Sequence, residues 1–192
     1  MTITEQKIGG YTGINIPGVL SLYLIDRDDV WSVQDPYRHV IPDAAVSRIQ
    51  SGAIVLKTGA VVTKMKFPPL ACHFSQVADR GDGGNSFALA VDFAIPSSKE
   101  EIFDYYHQNR QKQFVCLMED ANRQGYVLGN EERGLRMNIA QSIAAANAIS
   151  VTFSAKLNVP AFLMQTSVNG LVLAEQFPDT EFGIEFSLDF NA

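Results

Sequence analysis

The sequence predicts a mainly β domain with one flanking α-helix near residues 98–111 and a long irregular segment. Three observations predict it. Several windows alternate apolar and polar residues, the period of a half-buried strand. Clusters of Gly, Asn and Asp separate these windows at hairpin-like spacing. Only one stretch opens with strong helix-capping chemistry. A chain of 192 residues with 46% hydrophobic content is enough for one domain, residues 1–192, that buries its core without disulfide or metal staples.

The C-terminal stretch alternates most clearly. Phe182, Ile184, Phe186, Leu188 and Phe190 share one side of an extended strand, and Glu181, Gly183, Glu185, Ser187 and Asp189 share the other. A helix would scatter the five apolar residues round its circumference. Further strands are expected at 19–25, 53–56, 60–67, 70–78, 86–95, 113–118, 126–128, 135–139 and 149–157, where Val, Ile, Phe and Thr are enriched. The turn clusters Lys57-Thr58-Gly59, Arg80 to Asn85 and Asp120 to Gly125 read as hairpin connections.

The helix begins at Pro96-Ser97-Ser98-Lys99-Glu100-Glu101, which holds two overlapping S-x-x-E boxes. In each, the Ser oxygen accepts from the N3 amide while the Glu reaches back to the cap. Ser98 is the expected cap of a helix starting near Lys99 and running to about Gln111. Ile102, Phe103 and Tyr106 form its apolar side. A short second helix is expected over 43–50. The Ala-rich stretch 139–148 reads as a loop with a helical turn. Residues 1–17 read as an N-terminal arm, and 26–50 as an assembly loop. Its irregular part, 26–40, mixes charge with Trp31, Pro36, Tyr37, Arg38 and His39, a composition that suits a partner surface better than an open loop.

Nothing in the sequence builds a catalytic constellation, so no enzyme and no cofactor is expected. Of the three histidines, His39, His73 and His107, the strand-like His73 and the helical His107 lack a metal-ligand neighbour at i+2, i+3 or i+4. Cys72 and Cys116 lie in apolar runs and read as reduced, buried thiols. Gly81-Asp82-Gly83-Gly84 leads into a strand, so it lacks the helix N-terminus that binds phosphate. The N-terminus is polar, without the apolar core of a secretory signal, and no run is long enough to cross a membrane. Synthesis in a cytoplasm is the expectation. A net charge of −6 argues against a dedicated nucleic-acid binder. Glu181, Glu185 and Asp189 recur on one face. That face is either solvated sheet surface or the lining of an aqueous space from which phosphates are repelled.

The stretch from Gln113 to Leu163 carries a resemblance. It reads Phe114-Val115-Cys116-Leu117-Met118-Glu119-Asp120-Ala121-Asn122, then Tyr126-Val127-Leu128-Gly129-Asn130 and Gly134-Leu135-Arg136-Met137. It closes with Ser150-Val151-Thr152-Phe153-Ser154-Ala155-Lys156 and Val159-Pro160-Ala161-Phe162-Leu163. This resembles small virion proteins of tailed bacteriophages and prophages of Bacteroidetes, with tail tube-like subunits as the nearest type. The resemblance implies a β-sandwich or half-open β-barrel with a flanking helix and a long loop or arm. It implies homo-oligomeric rings, hexameric in such families, that contact other tail proteins and pass DNA without binding it specifically. It places the protein in the virion, and in the host cytoplasm during assembly. Trp31, Pro36, Tyr37 and Arg38 would then be subunit-interface residues, and Glu181, Glu185 and Asp189 would face the channel. Neck, tail-terminator and distal-tail adaptor proteins share such folds and form one alternative. A cytoplasmic small-ligand-binding β-barrel or enzyme forms another.

Overall fold

The computed structural model describes residues 17–36, 48–50, 52–81, 84–96, 100–143 and 147–164. The chain is mainly β with one α-helix, and its strands form three sheets with no closed barrel among the described residues. The largest sheet has the order β3-β12-β9-β8-β1-β5. It comprises β1 (Val19–Asp26), β3 (Arg48–Ile49), β5 (Val62–Lys66), β8 (Phe114–Asp120), β9 (Gly125–Leu128) and β12 (Phe162–Met164). The second has the order β10-β11-β7-β6, with β6 (Cys72–Gly81), β7 (Gly84–Pro96), β10 (Arg136–Ile143) and β11 (Asn147–Leu157). In a third, β2 (Val30–Val33) pairs with β4 (Ile54–Leu56).

The apolar pattern sets which layer lies where. Leu22 to Ile25 on β1 and Phe114 to Met118 on β8 are unbroken buried runs, as expected of central strands covered on both faces. The four-stranded sheet alternates instead. Leu89, Val91, Phe93 and Ile95 on β7, and Ile149, Val151 and Phe153 on β11, point into the core. Aromatic rings join the two layers. Phe114 meets Phe153 edge-on at 5.8 Å, and Phe67, just beyond β5, lies 4.8 Å from Phe93. The six-stranded and four-stranded sheets therefore pack face to face over one core.

The helix α1 spans Glu100–Asn109. Its predicted caps Ser97 and Ser98 lie outside the described residues. Ile102 is buried, with Phe103, Tyr105 and Tyr106 half-buried against the core. Tyr105 shares a side-chain hydrogen bond with Thr63, which fixes the helix against β5. Asn109 ends it by donating from Nδ2 to the Tyr105 carbonyl at 2.8 Å, while the Lys112 amide bonds the Asn109 carbonyl.

Two of the three expected hairpins form. Residues 81 and 84 pair across the β6–β7 turn. At the β8–β9 turn, Asp120 Oδ1 accepts from the amides of Asn122 and Gln124, both at 2.8 Å. This is the carboxylate-to-backbone closure that makes Asp a turn residue. Lys57-Thr58-Gly59 is not a hairpin. It carries the chain from β4 in the small sheet to β5 in the large one, with Gly59 at φ +85°.

Four other readings differ from the structure. Residues 139–148 belong largely to β10 and β11, whose pairing continues to Ile143 opposite Asn147. Cross-strand packing overrides the local helical preference of alanine there. Arg48 and Ile49 form strand β3 beside β12 rather than the end of a helix, and residues 43–47 lie outside the described residues. The stretch 26–40 is irregular only in part. Arg27–Asp29 is a 3-10 turn capped by Asp26, and Val30–Val33 is strand β2, with Val30 and Val33 in the core. Strand β12 was not expected; its Phe162 is buried and Gly125 lies directly against Met164.

Candidate assembly surface

The side of the four-stranded sheet away from the core carries short side chains in level rows. His73, Asp92, Thr152 and Asn138 form one row, and Ser75, Ala90, Ser154 and Arg136 the next. Ala94, Ser150 and Ala140 lie in the row beyond the first, and Val77, Ala88 and Lys156 beyond the second. Among the described residues this face has no Phe, Tyr or Trp. Thr152 Oγ1 donates to Asp92 Oδ1 at 2.7 Å, and Lys156 Nζ lies 3.1 Å from Asp79 Oδ2. The result is a flat, polar, small-residue surface.

Among the described residues, the strands that bound this sheet, β6 and β10, are each paired on one side only. They are long, 10 and 8 residues. From Ser75 to Arg80 every residue of β6 is exposed, and Arg136, Asn138, Ala140 and Gln141 of β10 are exposed. The edges of the six-stranded sheet differ. There β5 has 5 residues, two of them lysines, and β3 has 2. Short length and lysine are the usual guards against edge pairing, so the large sheet is blunted and the four-stranded sheet is not. The sequence places strands at 135–139 and 149–157 but a loop over 139–148, so it does not show that β10 and β11 run on as a long paired hairpin with β10 at the sheet edge. The signal was present in the small-residue alternation of Ala88, Ala90, Asp92, Ala94 and of Ser150, Thr152, Ser154.

Of the interface residues expected from the sequence, Trp31 is 71% exposed on β2, at an irregularity in the pairing with β4. Pro36 is half-buried beyond the end of β2. Tyr37 and Arg38 lie outside the described residues. The strand under Trp31 is held firmly. The Val33 amide donates to Glu131 Oε2 at 2.9 Å, and the Gln34 amide to the Ala53 carbonyl at 2.9 Å. Beside it, Arg27 pairs with Asp28 at 2.7 Å, and the Arg27 guanidinium holds the Asp28 carboxyl below its ordinary range. The expected channel residues Glu181, Glu185 and Asp189, with the alternating segment 182–190, lie outside the described residues.

The groups with chemistry of their own are dispersed. His73 is exposed on β6 and His107 on α1, while His39 lies outside the described residues. Burial pushes the Cys72 thiol up to about 12, with nearby Asp92 adding to the shift, and raises the Cys116 thiol as well. Neither thiolate is available near neutral pH. Among the described residues no three His, Cys, Asp or Glu side chains converge to hold a metal ion, and no helix is long and apolar enough to cross a membrane. Comparison of the chain with protein-family models, with curated proteins and with solved structures finds no match.

Proposed function

We propose that this chain is a structural subunit that assembles with copies of itself, edge to edge, into a ring or tube, as a tail component of a bacteriophage virion. The observation that carries the assembly is the four-stranded sheet, with two long edges that no other strand pairs among the described residues. The virion setting rests on the resemblance of residues 113–163 to tail proteins.

Topology favours a head-to-tail join. The four strands alternate in direction, so β6 of one copy and β10 of the next run antiparallel when the sheet continues across the boundary. Each copy then uses two different patches, a heterologous contact that closes into a ring if the rotation between copies allows. Closure removes the sheet edges altogether. The six-stranded sheet packs behind the four-stranded one, so a ring closed through the smaller sheet with the larger one outside turns the small-residue face to the channel. Ser, Thr and Ala with few charges offer little to phosphates, whose binding depends on neutralisation by Lys and Arg. In this reading Trp31, Pro36, Tyr37 and Arg38 contact neighbouring subunits. Glu181, Glu185 and Asp189 face the channel or its rim and repel DNA in transit.

Size-exclusion chromatography with negative-stain electron microscopy of the purified chain tests the proposal. Rings or tubes with a central hole are the expected result. A chain that stays monomeric at all concentrations and binds a small molecule would favour the ligand-binding alternative and end this reading.

A further inference from the structure

We infer that β6 of one copy pairs with β10 of the next in a register offset by four residues, which sets Asp79 of one copy against Arg136 of its neighbour. This rests on the edge-to-edge reading above and specifies how the edges meet.

Within one copy, Ser75 on β6 and Arg136 on β10 lie in the same level row, at its two ends. If the sheet simply continued at that level, Ser75 would meet Arg136 of the neighbour, and Asp79 would fall beyond the first residue of β10. The charges decide otherwise. On the outward face of the two edge strands, His73 apart, the ionisable residues are Asp79 on β6 and Arg136 on β10. Opposite charges directly across a strand pair are favourable. One antiparallel register brings these two together. It pairs Asp79 with Arg136, Val77 with Asn138 and Ser75 with Ala140, displaced by four residues from the level row. The displacement is even, so every outward side chain stays outward. Asp79 then lies between Lys156 of its own copy, already 3.1 Å away, and Arg136 of the next.

The geometry of closure reaches the same offset independently. Strands in a closed sheet tilt by roughly 35–45° to the axis, and the tilt comes from the stagger between strands. Each copy contributes four strands, a lateral step of roughly 19 Å at ~4.8 Å per strand. An offset of four residues at ~3.3 Å each adds roughly 13 Å along the strands. The ratio gives a tilt of about 35°, whatever the number of copies, within the range of closed sheets. No offset gives no tilt, and an offset of two residues gives only about 19°, both outside that range.

Two measurements on the full chain test this. The first is disulfide trapping in assembled protein. The pair Val77→Cys with Asn138→Cys should crosslink copies into a ladder, while His73→Cys with Asn138→Cys, matched to the level register, should not. Cys72 and Cys116 are buried and do not compete. The second is charge exchange. Asp79→Arg or Arg136→Asp alone should lower the assembled fraction at least tenfold, and the double exchange should restore most of it. All five substituted positions are exposed, so circular dichroism should show each variant folded. Crosslinking of the level pair, assembly with neither pair crosslinked, or single charge variants that assemble normally would overturn the register while leaving edge-to-edge assembly standing. Wild-type protein that never assembles would overturn the reading on which the register rests, and the register with it.

Discussion

Gly134 lies so close to Phe114 that a Cβ added to it would stand 2.7 Å from the Phe114 carbonyl oxygen and 2.8 Å from its nitrogen. The contact is part of a clasp. Phe114 and Leu135 exchange backbone hydrogen bonds, both 2.8 Å, and the Gly134 amide donates to Gln113 Oε1. This clasp joins the start of β8 to the start of β10, and so ties the six-stranded sheet to the edge strand of the smaller one. Backbone cannot yield as a side-chain tip can. Gly134→Ala is expected to destabilise by about 1–3 kcal/mol, read as a lower urea midpoint at unchanged slope. An unchanged midpoint would mean that the two segments move apart at little cost.

The two faces of β11 should answer differently to truncation. Phe153 is fully buried between Phe93 and Phe114. Phe153→Ala is expected to cost about 3–5 kcal/mol. Its neighbour Thr152 points outward and contributes one hydrogen bond to Asp92 on a half-exposed surface. Thr152→Val is expected to cost about 1 kcal/mol. Chemical denaturation of both variants measures the contrast, and equal losses would contradict the assignment of faces.

Alkaline pH should weaken the fold. Burial keeps the Cys72 and Cys116 thiols protonated above their ordinary value of 9.0. The unfolded chain releases those protons from about pH 9 upward, while the native chain holds them, for Cys72 to about 12. The native state then binds more protons, so stability falls as pH rises through this window. The slope is about 1.4 kcal/mol per pH unit for each thiol. Below pH 9 neither thiol contributes a slope. Tyr105, raised chiefly by its burial, adds to the fall at higher pH. Replacing both cysteines by alanine should flatten the thiol part of the profile. A slope that survives the replacement would place its origin elsewhere.

Trp31 offers a separation of folding from assembly. With 71% of its surface exposed, Trp31→Ala should change monomer stability by no more than about 0.5 kcal/mol. If Trp31 anchors a neighbour, the same variant assembles poorly, because exposed tryptophans that become buried dominate interface energies. Sedimentation velocity beside thermal unfolding reads both quantities. A variant that assembles as well as wild type removes Trp31 from the interface.

Much of the fold was legible because it is written in local alternation. The β7 run from Leu89 to Ile95 and the β11 run from Ile149 to Phe153 show their buried faces directly in sequence, and the turn at Asp120 announces itself through a carboxylate that can close on its own backbone. Partner choice was not legible. Lys57-Thr58-Gly59 has the composition of a hairpin turn, yet β4 and β5 belong to different sheets, because which strands pair depends on contacts far apart in the chain. The extension of β10 to Ile143 was hidden by the Ala-rich composition of 139–148, whose local preference is helical, whereas β10 is held as a strand by its pairing with β11. The candidate surface was hidden for the same reason. An unpaired edge is a property of the assembled sheet, and no single window of residues carries it.

Edge-to-edge assembly through the four-stranded sheet is tested most directly by hydrogen–deuterium exchange, comparing assembled with dissociated protein. Amides of an edge strand that point outward exchange freely until a partner strand accepts them. The account predicts that peptides covering Cys72–Gly81 and Arg136–Ile143 gain protection on assembly, while those covering β5, Val62–Lys66, do not. Assembly that leaves both β6 and β10 exchanging as in the monomer would contradict it.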